Sequence, residues 1–126
     1  MDLFIGGHSQ GKLELVKERY GDKAVILNEL HLFIRKELEK ISEDDKNQNK
    51  YFDDGEIADI ICKGLEKYLS DNGIDVVISD EIGCGIVPME HFDRLWRDVT
   101  GKVLIRIAES AENVYRVTCG IAQKIK

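Results

Sequence analysis

Apolar positions along the chain change period several times, and each change marks an element. Leu3, Phe4 and Ile5 form a short unbroken apolar run, the mark of a strand buried on both faces, and the pattern predicts a strand over 2–5. Leu13, Val16 and Tyr20 then recur at helical spacing, predicting a helix over 11–20 that Gly21-Asp22 breaks. Ala24 to Leu27 is a second strand-length run. Helical spacing returns with Leu30, Phe33, Ile34, Leu38 and Ile41. Residues 42–54 are polar and unpatterned and read as an exposed loop. Asp53 or Asp54 is placed to cap the next helix, whose stripe is Ile57, Ile60, Ile61, Leu65, Tyr68 and Leu69 and which Asp71-Asn72-Gly73 stops. Asp75-Val76-Val77-Ile78-Ser79 is the clearest strand. A long helix follows from about Met89 to Ser110, with Phe92, Leu95, Trp96, Val99, Val103 and Ile107 on its apolar side. Val114-Tyr115-Arg116-Val117 reads as the last strand, before a basic end, Lys124-Ile125-Lys126.

Strands separated by helices pair in parallel through right-handed crossovers, so this order predicts a three-layer α/β domain with a mostly parallel sheet, formed as one domain over residues 1–126. Four strands are few for a sheet covered on both faces. An open edge closed by another subunit is the expected remedy, which makes the chain a homo-oligomer.

Composition narrows the partners. A net charge of −6 argues against nucleic acid and acidic membrane surfaces, both of which need a basic face. No apolar run approaches the roughly 20 residues of a membrane span, and no signal segment is recognisable. Cys62, Cys84 and Cys119 are odd in number and far apart, so neither a disulfide framework nor a zinc site is expected and a reduced, cytoplasmic setting fits.

The chemistry lies at two junctions. Between the first strand and first helix stands Gly6-Gly7-His8-Ser9-Gln10-Gly11-Lys12, with the Gly-x-x-x-x-Gly-Lys spacing of a phosphate-binding P-loop. Glycines let the backbone curl its N–H groups inward, the helix start adds its free donors and positive dipole end, and Lys12 adds a full charge. The motif asks for Ser or Thr next, to hold Mg²⁺, and the residue here is Leu13. At the end of the clearest strand stand Asp80 and Glu81, followed by the glycine-rich Ile82–Pro88, where α/β sheets bind ligands and where a carboxylate can hold Mg²⁺. A helix cap or turn carboxylate is the plain alternative for these acids. Cys84 reads as a small loop residue, His31 as a solvated helix residue, and Arg97 and Arg106 as surface charges able to serve a phosphate.

The block Asp80–Pro88, then Arg97-Asp98-x-x-Gly101-Lys102-Val103, Ile107-Ala108, Ala111–Tyr115 and Gly120-Ile121-x-x-Lys124-Ile125-Lys126, together with Gly6–Lys12, resembles the bifunctional adenosylcobinamide kinase / adenosylcobinamide-phosphate guanylyltransferase family of cobalamin biosynthesis. The resemblance covers the first fifteen or so residues and all of 75–126. It implies a P-loop nucleotide fold assembled as a trimer. It also implies a kinase that phosphorylates the cobinamide hydroxyl from a nucleoside triphosphate, and a transferase that passes GMP through a guanylylated histidine. On this likeness residues 6–12 bind GTP or ATP, Lys12 and Glu81 are catalytic, and Asp80 and Glu81 hold Mg²⁺.

The chain departs from the family at several points. It is shorter than a usual member. Residues 35–54 hold neither the family's active histidine nor its His-x-x-x-Arg-Pro context, and His31 lies too early to inherit that role. A strand with an acidic end is missing between Asp54 and Gly73, Leu13 replaces the metal-binding hydroxyl, and Leu104-Ile105 replace an Asn-Gln pair. Loss of the guanylyltransferase half is expected. Two readings of the remainder stay open: a kinase acting on cobinamide or another small alcohol, or a non-catalytic relative that binds a nucleotide or corrinoid or assembles with a partner.

Overall fold

The computed structural model describes residues 1–48, 53–83 and 89–126, with side chains at all of these except 43–48. Its elements are β1 (Asp2–Gly6), α1 (Lys12–Tyr20), β2 (Ile26–Leu27), α2 (Leu30–Gln48), α3 (Asp54–Asp71), β3 (Val76–Asp80), α4 (His91–Ser110), β4 (Asn113–Thr118) and β5 (Ile121–Lys124). They form an α/β domain around one sheet of order β2-β3-β1-β4-β5. The first four strands in that order are parallel, and β5 pairs antiparallel with β4.

Handedness explains how the helices divide. From β1 the chain crosses to β2 in one direction, and from β2 to β3 and from β3 to β4 it moves in the other. Right-handed crossovers therefore put α1 on one face and α2, α3 and α4 on the opposite face. The side chains agree. Leu3, Val77 and Val114 share register positions and pack with Leu30, Ile34, Leu38, Ile61, Leu65, Val99 and Val103. One residue on, Phe4 and Ile78 face the other way, against Val16 of α1. The first cluster carries most of the burial, at about 1.5–3 kcal/mol for each fully buried aliphatic side chain.

Local signals set the boundaries. Asp53 caps α3, its Oδ1 accepting the Glu56 N–H at 2.8 Å. The strand expected over 24–27 contracts to Ile26–Leu27; just before it the Val25 N–H goes to the Asp75 carboxylate at 2.9 Å rather than to a backbone carbonyl. The loop expected over 42–54 is helix as far as Gln48: the segment is polar but holds no Gly or Pro to stop α2. Residues 49–52 of that expected loop lie outside the described ones. The four-strand expectation is corrected to five, since β5 returns from β4 through the tight turn Cys119-Gly120, with φ of 53° and 72°. Between Asp54 and Gly73, where the family's additional strand was missed, the chain is α3. Among the described residues no helix is long and apolar enough to cross a membrane.

Candidate functional site

The carboxyl ends of β1 and β3 lie side by side, with Gly6 paired to Asp80. From β1 the chain leaves toward one face and from β3 toward the other, which opens the crevice where sheets of this kind take ligands. Residues 6–12 fill its rim. At Gly6 any side chain is excluded: a Cβ there would stand 2.4 Å from the Val117 carbonyl oxygen of β4. Gly11 is the N-cap of α1 at φ 81°, a left-handed conformation that costs glycine least. The β4–β5 turn braces the loop from above. The Cys119 N–H donates to Gln10 Oε1 at 2.7 Å and the Gly120 N–H to the Gln10 carbonyl at 2.8 Å.

Lys12 begins α1 and is buried. Its Nζ donates to the Gly7 carbonyl at 2.6 Å and to Asp80 Oδ1 at 2.7 Å. The other carboxylate oxygen, Oδ2, faces His8 Nδ1 at 3.3 Å and His31 Nε2 at 3.5 Å. His31 Nδ1 accepts the Asp80 backbone N–H at 3.1 Å, so the proton of the neutral ring sits on Nε2, toward the carboxylate. The His31 carbonyl in turn accepts the Trp96 indole N–H at 2.7 Å, and Arg35 lies over the Trp96 ring while pairing with Asp93 at 2.9 Å. Burial alone would raise the Asp80 pKa, but the Lys12 hydrogen bond and charge, joined by His31 when its ring is protonated, outweigh it and the carboxyl lies below its usual value. Burial pushes His31 below its usual value, against the pull of Asp80 and Glu29, and the ring is neutral at neutral pH.

Glu81 donates its N–H to the Gly6 carbonyl at 2.9 Å and its carboxylate meets Arg116 of β4 at 3.4 Å. A cleft of about 380 Å³ opens beside the loop, walled by His8, Gln10, Lys12, Asn28, His31 and Asp80. A second, apolar cleft of about 330 Å³ lies on the α4 side, between Ile5, Glu81, Ile82, Thr100 and Leu104.

The expected residues 6–12 and Asp80 thus meet at one point, with Glu81 adjacent. His8 and Ser9 are exposed on the loop, and Ser9 takes a φ of 56°. Expectation fails at His31. His31 is not solvated but buried against Asp80; it stands three and seven residues before Ile34 and Leu38, both buried, so its place on the inward stripe was open to view. Arg106 is a surface charge, as expected, and pairs with Asp59 of α3, while Arg97 donates to the Gly83 carbonyl; neither contact involves residues 6–12. Cys84 and the rest of the 84–88 stretch lie outside the described residues. Arg116 joins the site without a local signal, since nothing in the neighbouring sequence marks a strand arginine as a carboxylate partner.

This geometry meets a matching comparison. The profile of the cobinamide kinase / cobinamide phosphate guanyltransferase family matches residues 8–125. The chain belongs to this family. Two similar relatives are the bifunctional adenosylcobalamin biosynthesis proteins CobU of Salmonella typhimurium, 43% identical over 51 residues, and of Escherichia coli, 41% identical over 51 residues. Each match takes in 40% of this chain and 28% of the relative. For this member of the cobinamide kinase family, Mg²⁺ suits the donors present only together with a phosphate. Asp80 faces the loop, Glu81 is next to it, and Leu13 offers no oxygen. Among the described residues no group of three or more His, Cys, Asp or Glu could hold a metal alone. One or two carboxylates completed by phosphate and water oxygens are an ordinary Mg²⁺ environment.

Proposed function

We propose that this chain binds GTP or ATP through residues 6–12 and phosphorylates the side-chain hydroxyl of cobinamide, without the guanylyl transfer of its family. The observation that carries the reading is the meeting of Lys12 and Asp80, 2.7 Å apart, in the crevice between β1 and β3. In it the loop N–H groups and the first turn of α1 hold the β- and γ-phosphates. Lys12 leaves the Gly7 carbonyl and Asp80 for the phosphate oxygens. Asp80 would hold Mg²⁺, which when bound would neutralise charge on the transferring group. The alcohol enters along the apolar cleft on the α4 side, its oxygen attacks the γ-phosphorus, and the bond to the β–γ bridging oxygen breaks to release the diphosphate. Glu81 takes the hydroxyl proton, Arg116 fixing its carboxylate. The oxygens that gain charge are the ones Lys12 and the loop N–H groups face, which is the usual way phosphoryl transfer is accelerated.

Cobinamide incubated with GTP or ATP and Mg²⁺ should gain one phosphate by mass, and Lys12→Ala should slow this roughly a hundredfold or more. No phosphorylated product from the wild type would reject the kinase. Leu13 favours a second reading, a nucleotide-binding relative without chemistry, in which GTP or ATP binds and no product forms. Equal nucleotide binding by wild type and Lys12→Ala would reject both.

A further inference from the structure

The Lys12–Asp80 pair bears on which form of a nucleotide the loop accepts. The two charges are 2.7 Å apart and cancel, and Lys12 is buried beneath the loop. A metal-free triphosphate is a polyanion. To reach Lys12 its oxygens must displace the Asp80 carboxylate and then lie beside it, like charge against like. A triphosphate that carries a divalent cation meets the same carboxylate as a partner. Leu13 leaves no hydroxyl to share that task, and Glu81 is engaged with Arg116.

Asp80 can discriminate in this way only if it cannot swing aside, and His31 prevents that. Both ring nitrogens face Asp80, one at its backbone N–H and one at Oδ2. The ring is buried, and its backbone is tied to α4 by the Trp96 indole. His8, with its side chain 89% exposed, has no such anchorage. We propose that Asp80, held by His31, makes the phosphate loop selective for the metal complex of a nucleoside triphosphate over the metal-free anion, with His31 as the positioning residue. This rests on the phosphate-loop reading above.

The test is calorimetric binding of ATP and of inorganic tripolyphosphate, each in Mg²⁺ and in EDTA. The proteins are wild type, Asp80→Asn, His31→Ala, His31→Asn and Lys12→Ala, with circular dichroism to check folding. Wild type should prefer the Mg²⁺ form of both probes. Asp80→Asn should bind the metal-free forms roughly ten- to a hundredfold tighter and lose the preference, the scale of one hydrogen bond to a charged group. His31→Ala should shift the Mg²⁺-to-EDTA ratio the same way, and His31→Asn, whose amide oxygen can replace Nδ1 as acceptor, should restore it. If His31→Ala does not fold, His31→Leu, which fills the space but offers no acceptor or donor to Asp80, replaces it and should shift the ratio likewise. Weaker or unchanged metal-free binding by Asp80→Asn, or a wild-type ratio in folded His31→Ala or in the His31→Leu that replaces it, overturns the proposal. If Lys12→Ala weakens ATP while Asp80→Asn leaves the ratio unmoved, metal selection alone is wrong. If Lys12→Ala binds ATP as the wild type does, or no protein binds either probe, the phosphate-loop reading falls and takes the proposal with it.

Discussion

Gly6→Ala is the sharpest probe of how the sheet builds the loop. The added Cβ would stand 2.4 Å from the Val117 carbonyl oxygen and 3.3 Å from its carbon. Both are backbone atoms of the paired strand β4, so no side chain can turn away. Relief requires β1 and β4 to part by most of an ångström at the point where Gly6 also accepts the Glu81 N–H. Overpacking a rigid site costs about 1–3 kcal/mol, and a backbone obstacle lies at the upper end. For a chain of 126 residues that corresponds to a fall of roughly 6–15 °C in Tm. Gly64→Ala is the control. Gly64 lies within α3, is exposed, and would place its Cβ in open space, so the change should raise stability by about 0.5–1 kcal/mol. Thermal melts followed by circular dichroism decide. A Gly6→Ala protein melting within a degree or two of wild type would refute the close approach of β4 and the loop geometry built on it.

Three further outcomes follow from the same structure. Light scattering should give a mass above the 14.3 kDa of one chain, in keeping with the trimeric habit that the family resemblance implies; one species at the chain mass would count against assembly. Stability should fall as pH drops below 6.5: burial keeps the His31 pKa below that value in the folded chain, so the unfolded chain takes up the proton first. The His31 contribution is complete above pH 6.5 and is lost toward the folded pKa, and urea titrations of His31→Asn should show a flatter slope there. With GTP labelled at the α-phosphate and Mg²⁺, followed by alkaline denaturation and intact mass, no GMP adduct should form; an adduct that vanishes in His31→Ala would restore the guanylyl transfer.

Much of this was legible from local pattern. The two strands that carry the site, the helix that follows Gly11, and the cap at Asp53 all announce themselves through apolar runs, glycine spacing and a polar residue before a stripe. What escaped was decided by tertiary context. β5 is four residues long and mostly exposed, so no buried period marks it, although a glycine at the second turn position was a hairpin signal. The end of α2 is polar and carries no apolar period, so only the helix propensity of its residues marks it as helix. An imidazole reads as a surface group by polarity alone, while the spacing of His31 to Ile34 and Leu38 places it inward. The pairing of Glu81 with Arg116 joins elements 35 residues apart and has no local trace.

The division of labour at the strand ends follows from one topological fact. β3 lies directly against β1, so Asp80 stands in register with Gly6 and within reach of Lys12. A strand inserted between them would move Asp80 about 4.8 Å away, and the pair could not form. In this chain α2 and α3 occupy the stretch between β2 and β3, and the acid at the end of β3 takes the place beside the loop lysine. Alternation along the strand does the rest. Val76 and Ile78 face α1, and Asp80 continues that side toward Lys12. Val77 faces α4, and Glu81 continues that side, where Arg116 meets it on the same face as Val114. Two adjacent acids are thereby sent to opposite sides of the crevice, one to the loop of residues 6–12 and one to the apolar cleft. On this geometry Asp80→Asn should alter how nucleotide binds, Glu81→Gln how the alcohol reacts, and kcat and KM for the two substrates should separate accordingly. Equal losses in both variants would mean that the carboxylates act as one group and that the strand does not divide them.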